Sequence, residues 1–147
     1  CYPDLIGKTA PDKVVVSHGC PDLANLIERS MGDPAGQPAI DADIQTNLEE
    51  LVKEEKVDCC VLGCTHYPLV EENIHRLYPG LELVDPADQM TKTIRAYLQE
   101  NGLVNDQEAL GTLDIFTTGS VEEYQKKAEK VGLGPITSVQ AYPVMKL

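Results

Sequence analysis

The sequence predicts an α/β fold, a mainly parallel sheet flanked by helices. Three observations carry that expectation. Short valine-rich runs bounded by glycine or by charge look like interior strands of a parallel sheet. Between them, apolar residues recur every three or four positions, the spacing of amphipathic helices. Runs and helical stretches also alternate along the chain, the order from which parallel sheets are built. Two strand ends carry Gly-Cys, at Gly19-Cys20 and Gly63-Cys64, and no other internal repeat is visible.

Taken in order, residues 13–18 hold three successive valines and read as the first interior strand, ending at Gly19-Cys20. Pro21 then opens a helix with Leu23, Leu26 and Ile27 on one face, closed by Gly32-Asp33-Pro34. Residues 32–38 read as the loosest stretch. Ile40, Ile44, Leu48, Leu51 and Val52 follow helical spacing, with the acidic run Glu49, Glu50, Glu54 and Glu55 on the wet side. Residues 57–62 form the next strand. Pro68 suits the first turn of a helix, where its missing N–H costs nothing. That helix carries Leu69, Ile74 and Leu77, closes at Tyr78-Pro79-Gly80, and leads into a strand at 81–84. After the break at Asp85-Pro86, Met90, Ile94, Tyr97 and Leu98 define a helix capped by Asn101-Gly102. Leu113, Ile115 and Thr117 alternate in a strand, and Ser120 caps a helix to about Val131, with Gly132 and Gly134 after it. Residues 136–144 make the last strand.

The composition narrows the function. A chain of 147 residues with 42% apolar content is long enough to bury a core. A net charge of -12 and a pI near 4.5 would repel nucleic acid and anionic membranes, so neither is expected as a partner. No apolar run approaches the roughly 18 residues that span a bilayer, and no targeting pattern is seen, so a cytoplasmic location is expected. Five cysteines, an odd number with Cys59 and Cys60 adjacent, make no disulfide framework and fit a reducing compartment.

Chemistry concentrates at Gly63-Cys64-Thr65-His66-Tyr67-Pro68, where an apolar strand stops at a thiol with an imidazole two residues on. A strand-to-helix turn is the edge of an α/β sheet where ligands bind. A helix start and an adjacent imidazolium favour the thiolate, which can attack a carbonyl or lift a proton. Gly63 permits close approach of a ligand, and Thr65 can cap the helix or bind a carboxylate. Spacing alone is equally compatible with a packing cysteine beside a surface histidine.

The stretch from Gly63 to Leu69 resembles a signature of the glutamate racemases, cofactor-independent isomerases that interconvert L- and D-glutamate. A second block, Gly19-Cys20-Pro21 followed by Leu26-Ile27-Glu28, is similar to an upstream segment of that family, with Gly19 where alanine is usual. The resemblance runs from about Tyr2 to the last strand and matches the C-terminal portion of the family. Its Asp-Ser-Gly loop, its Asn-Thr loop and its second catalytic cysteine have no counterpart in this chain.

That resemblance implies a proton-transfer enzyme of peptidoglycan synthesis, hence of cell-wall biogenesis and cell shape, with glutamate as substrate. It implies Cys64 as acid or base for one face of the α-carbon, His66 as the group sharing its proton, and Glu28 as the residue orienting His66. Thr65, with Cys64 and His66, would contact the substrate. Residues 1–84 would be most of one lobe, and residues 85–147 a segment completing the other. The missing N-terminal half would be a partner and the isolated chain inactive. Apolar surface left open on the second segment would be covered by another molecule, in a homodimer for example.

The other reactive side chains have plainer readings. Cys20 is expected to be structural, even though His18 beside it mimics the His66 pairing. Cys59 and Cys60 are expected to pack within the strand, and their adjacency is poor geometry for zinc, so no metal site is expected. His75 falls on an exposed helix face. No phosphate loop or nucleotide fingerprint occurs, and no organic cofactor is expected. Two other classes stay open, a related amino-acid racemase or lyase with a different substrate and a non-catalytic binding or metal module.

Overall fold

The computed structural model describes residues 2–30, 32–105, 109 and 111–143. The first helix, α1 (Tyr2–Thr9), has no counterpart in the sequence reading. It is short and buries no residue, so its apolar spacing hardly stands out from its surroundings.

The core forms where two apolar helical faces meet. In α2 (Leu23–Ser30) Leu23 and Ile27 are buried four apart, and in α3 (Gln37–Lys53) Ile40 and Ile44 repeat the same step. These four side chains pack with Leu62, Val70, Ile74 and Leu81 in one cluster. Full burial of an isoleucine is worth about 1.5–3 kcal/mol, so this cluster is the main stabilising feature of the chain.

The segment expected to be loosest is ordered. The Asp33 carboxylate accepts from the Ala35 N–H at 2.9 Å, opening a 3-10 turn at Pro34–Gly36 that runs straight into α3. Gly36 is needed there, because a Cβ on it would lie 2.3 Å from the Ser30 Cβ.

Strand β1 (Cys59–Val61) pairs in parallel with β2 (Glu82–Val84), Cys60 opposite Leu83. The strand expected over 57–62 begins later because Val57 is spent on leaving α3. Lys56 turns to φ 55° and the Val57 N–H bonds the Leu51 carbonyl at 3.0 Å. Between the strands lie a 3-10 turn at Tyr67–Val70 and α4 (Glu71–Leu77). Arg76 of α4 donates to both carboxylate oxygens of Asp41 on α3 at 2.7 Å, and Asn73 donates to the same group. Burial pushes Asp41 up, but these bonds outweigh it and hold its carboxyl below the usual range.

The expected first strand, 13–18, does not form. Among the described residues no ladder pairs it, and Val14 is 94% exposed. Valine favours extended backbone, but a strand is held by a neighbour's hydrogen bonds, and β1 is paired with β2 alone.

Past Asp85, whose side chain caps the Ala87 N–H, α5 (Pro86–Glu100) ends at Gly102 in the left-handed region. Met90, Ile94 and Tyr97 stand exposed along it. Strand β3 (Asp114–Thr117) pairs in parallel with β4 (Ser138–Ala141) as a second two-stranded sheet. The last strand is therefore shorter than 136–144, and Val144 lies outside the described residues. Between them runs α6 (Val121–Lys130), capped by Ser120 as expected. Ala128 of α6 is buried, and the Lys130 side chain lies 3.7 Å from the position of a Cβ on Gly32, which sets α6 beside the end of α2.

Candidate active site

The turn after β1 carries the thiol and the imidazole, as the sequence places them. Its backbone is closed by Tyr67 N–H to the Cys64 carbonyl and Leu69 N–H to the His66 carbonyl, each at 3.1 Å. These bonds belong to a 3-10 turn, and the α-helical geometry begins only at Glu71. His66, not Thr65, occupies the cap position, and no side chain caps the turn. The capping role expected of Thr65 therefore falls away, and Thr65 sits exposed beside the cluster. Gly63 meets only the Tyr2 ring, 3.7 Å from where a Cβ would be, so no close approach within this chain requires glycine there.

Three of the expected residues come together in a line. Cys64 Sγ is 3.8 Å from His66 Nδ1, and His66 Nε2 is 2.9 Å from Glu28 Oε1. Glu28 reaches the turn from the last part of α2, 38 residues away in sequence. A fourth member was not anticipated, because Lys127 of α6 donates to Glu28 Oε2 at 2.7 Å. Nothing in the sequence distinguishes Lys127 from Lys126 or Lys130. Hydrogen bonding from Lys127, then from His66, lowers the Glu28 pKa below the usual carboxylate range.

That ionisation decides the proton positions. A carboxylate only accepts, so Nε2 carries the hydrogen that is donated to Glu28. In the neutral ring Nδ1 is then the acceptor, turned toward the Cys64 thiol, and in the imidazolium it is a donor to the thiolate. The cluster can pass a proton between Cys64 and His66 without rearrangement.

The remaining reactive groups sort differently. Cys20 is half-buried against the core, and burial pushes its thiol up. Tyr67 donates its hydroxyl to the Cys20 carbonyl at 3.4 Å, and its own pKa is raised to about 12, chiefly by burial. His18 does not pair with Cys20. Its Nε2 faces Asn47 Oδ1 of α3 at 3.2 Å, because residues 13–18 run outside the sheet. Cys60 packs on the core, whereas Cys59, on the opposite face of the same strand, is exposed, against the expectation that both would pack. His75 is half-exposed, 3.5 Å from Glu71 on its own helix. Among the described residues no three His, Cys, Asp or Glu side chains are grouped as a metal site, and no helix is long and apolar enough to cross a membrane.

Fold and cluster together define an α/β chain with a cysteine, a histidine and a glutamate held in line at a strand-to-helix turn. No protein-family model matches the chain. It is, however, similar to curated glutamate racemases, and it spans just under half of their length. Glutamate racemase 2 of Caldanaerobacter subterraneus subsp. tengcongensis is 32% identical over 124 residues, covering 82% of this chain and 44% of that protein. The glutamate racemase of Carboxydothermus hydrogenoformans is 37% identical over 118 residues, covering 80% of this chain and 42% of the other. The crystal structure of a glutamate racemase isoform of Bacillus anthracis superposes with a TM-score of 0.82 at 28% identity, over 97% of this chain and 52% of that one.

Proposed function

We propose that the chain is the C-terminal part of a cofactor-independent glutamate racemase and supplies the acid/base group for one face of the substrate α-carbon. The observation that carries this reading is the Cys64–His66–Glu28 line, formed by side chains from two separate elements. Racemisation removes the α-proton from one face and delivers a proton to the other, which two opposed groups do directly. On its face, the Cys64 thiolate takes the α-proton and becomes a thiol, or the thiol gives its proton and becomes a thiolate. His66 shares that proton through Nδ1, and Glu28 holds the ring. Thr65, exposed and not used as a cap, is free to meet the substrate carboxylate.

In this reading residues 1–84 are most of one lobe and residues 85–147 complete the other. The separation of the strands into two small parallel sheets, one in each segment, supports that division. The opposing cysteine comes from an upstream half, without which the chain does not racemise. The product serves peptidoglycan synthesis in the cytoplasm. The exposed face of α5 packs on the upstream half or on a second copy.

The test is a circular dichroism assay on L- and D-glutamate, run on the chain alone and on the chain joined to the upstream half of a relative. Activity in the joined protein only, abolished by Cys64→Ala, is the expected result. Racemisation by the chain alone, or its survival in the joined Cys64→Ala protein, would overturn the reading.

A further inference from the structure

Glu28 has two carboxylate oxygens and both are engaged. Oε1 takes the His66 Nε2 hydrogen at 2.9 Å, and Oε2 takes Lys127 Nζ at 2.7 Å. The second contact spans 99 residues of sequence and joins α6 to α2. Both side chains are about half-exposed, and a second α6 side chain reaches the end of α2 beside them. Ala128, next to Lys127, is buried, and Lys130 lies along Gly32 at the end of α2. A glutamate held at one oxygen only can rotate about its last two bonds, and held at both it presents a fixed edge to the histidine.

We propose that Lys127 is a positioning residue for the acid/base site: by holding Glu28 Oε2 it fixes Oε1 on His66 and thereby keeps Nδ1 turned to Cys64. The inference rests on the racemase reading and adds a residue to it, assigning the C-terminal segment a part in the site. Other charged and titratable groups lie within reach. Lys127 has Glu123 on its own helix as well as Glu28, and Cys64 has Cys20 and Tyr67 near it besides His66. A test must therefore separate the contact from the general field.

The experiment uses the whole chain and reads the rate at which iodoacetamide modifies Cys64 at neutral pH, followed by mass spectrometry of the Cys64 peptide. Nitrogen-15 spectra of His66 report its tautomer in parallel. Lys127→Met is expected to slow Cys64 modification about two- to five-fold, the range for a half-exposed ion pair, and to weaken the preference for hydrogen on Nε2. Lys127→Arg, which keeps the donor, should restore most of the rate. Lys126→Met, which removes the same charge from the same helix without touching Glu28, should leave both readouts unchanged. Equal behaviour of Lys127→Met and Lys126→Met would overturn the proposal. Glu28→Gln separates the two levels. If it slows Cys64 modification while Lys127→Met does not, only the role of Lys127 falls. If it changes neither readout, the Cys64–His66–Glu28 line falls too.

Discussion

Helix α3 buries Ile40 at 2% and Ile44 at 1% exposure, whereas α5, 15 residues to the other's 17 and with the same apolar spacing, buries no residue at all. Ile94 on α5 stays 51% exposed. The difference does not lie in either helix. Helix α3 has α2 and α4 to close on, together with Leu62 and Leu81 beside the β1–β2 sheet, and α5 has no such surface among the described residues. An apolar stripe states what a helix would bury, and burial follows only where a partner surface is supplied.

Substitutions in the two helices should differ sharply in cost. Ile44→Ala should cost about 2–5 kcal/mol in urea unfolding, since the site is fully packed. Gly36→Ala should cost about 1–3 kcal/mol, because its Cβ must displace Ser30 at the junction of α2 and the turn into α3. Asp85→Ala removes the carboxylate at 2.9 Å from the Ala87 N–H and should cost about 1 kcal/mol, read as loss of helicity in α5, which has little packing to compensate. Ile94→Ala should change the unfolding free energy of the chain by less than about 0.5 kcal/mol. If Ile94→Ala proved as costly as Ile44→Ala, the contrast between the two helices would be wrong.

The weakest effect is one of pH. The folded-state pKa of Glu28 lies below its unfolded value, so its stabilisation is fully present above the ordinary glutamate value of about 4.3. It is lost as pH falls through the lowered folded value. Hydrogen-exchange protection of α6 should therefore drop on acidification below the usual carboxylate range, and the drop should be smaller in Lys127→Met. Both partners are about half-exposed, so solvent screening keeps the effect small.

Local chemistry was legible in the sequence, and partnership was not. Cys64 and His66 are two residues apart, so their meeting needed only a turn. Ser120 and Gly102 do their work within a few residues of where they sit, and their roles as cap and helix stop were read correctly, whereas Asp85 was read only as a break and its carboxylate caps α5. The valines of 13–18 misled because a strand is decided by its neighbour, and Val57 was lost to the turn out of α3. Glu28 could be placed opposite His66 only through the resemblance to a family. Lys127 had no signal at all, since only the placement of α6 in space selects it from three similar lysines. His18 likewise found Asn47, across a fold that its proximity to Cys20 did not suggest.

Cys64 is the proposed proton carrier for one face of the α-carbon. The direct measurement is proton NMR of glutamate in heavy water with the chain joined to an upstream half, following loss of the α-proton signal from each enantiomer. The expected result is deuterium entry at the α-carbon together with inversion, and loss of inversion in Cys64→Ala. Inversion at an undiminished rate in the Cys64→Ala protein would contradict it.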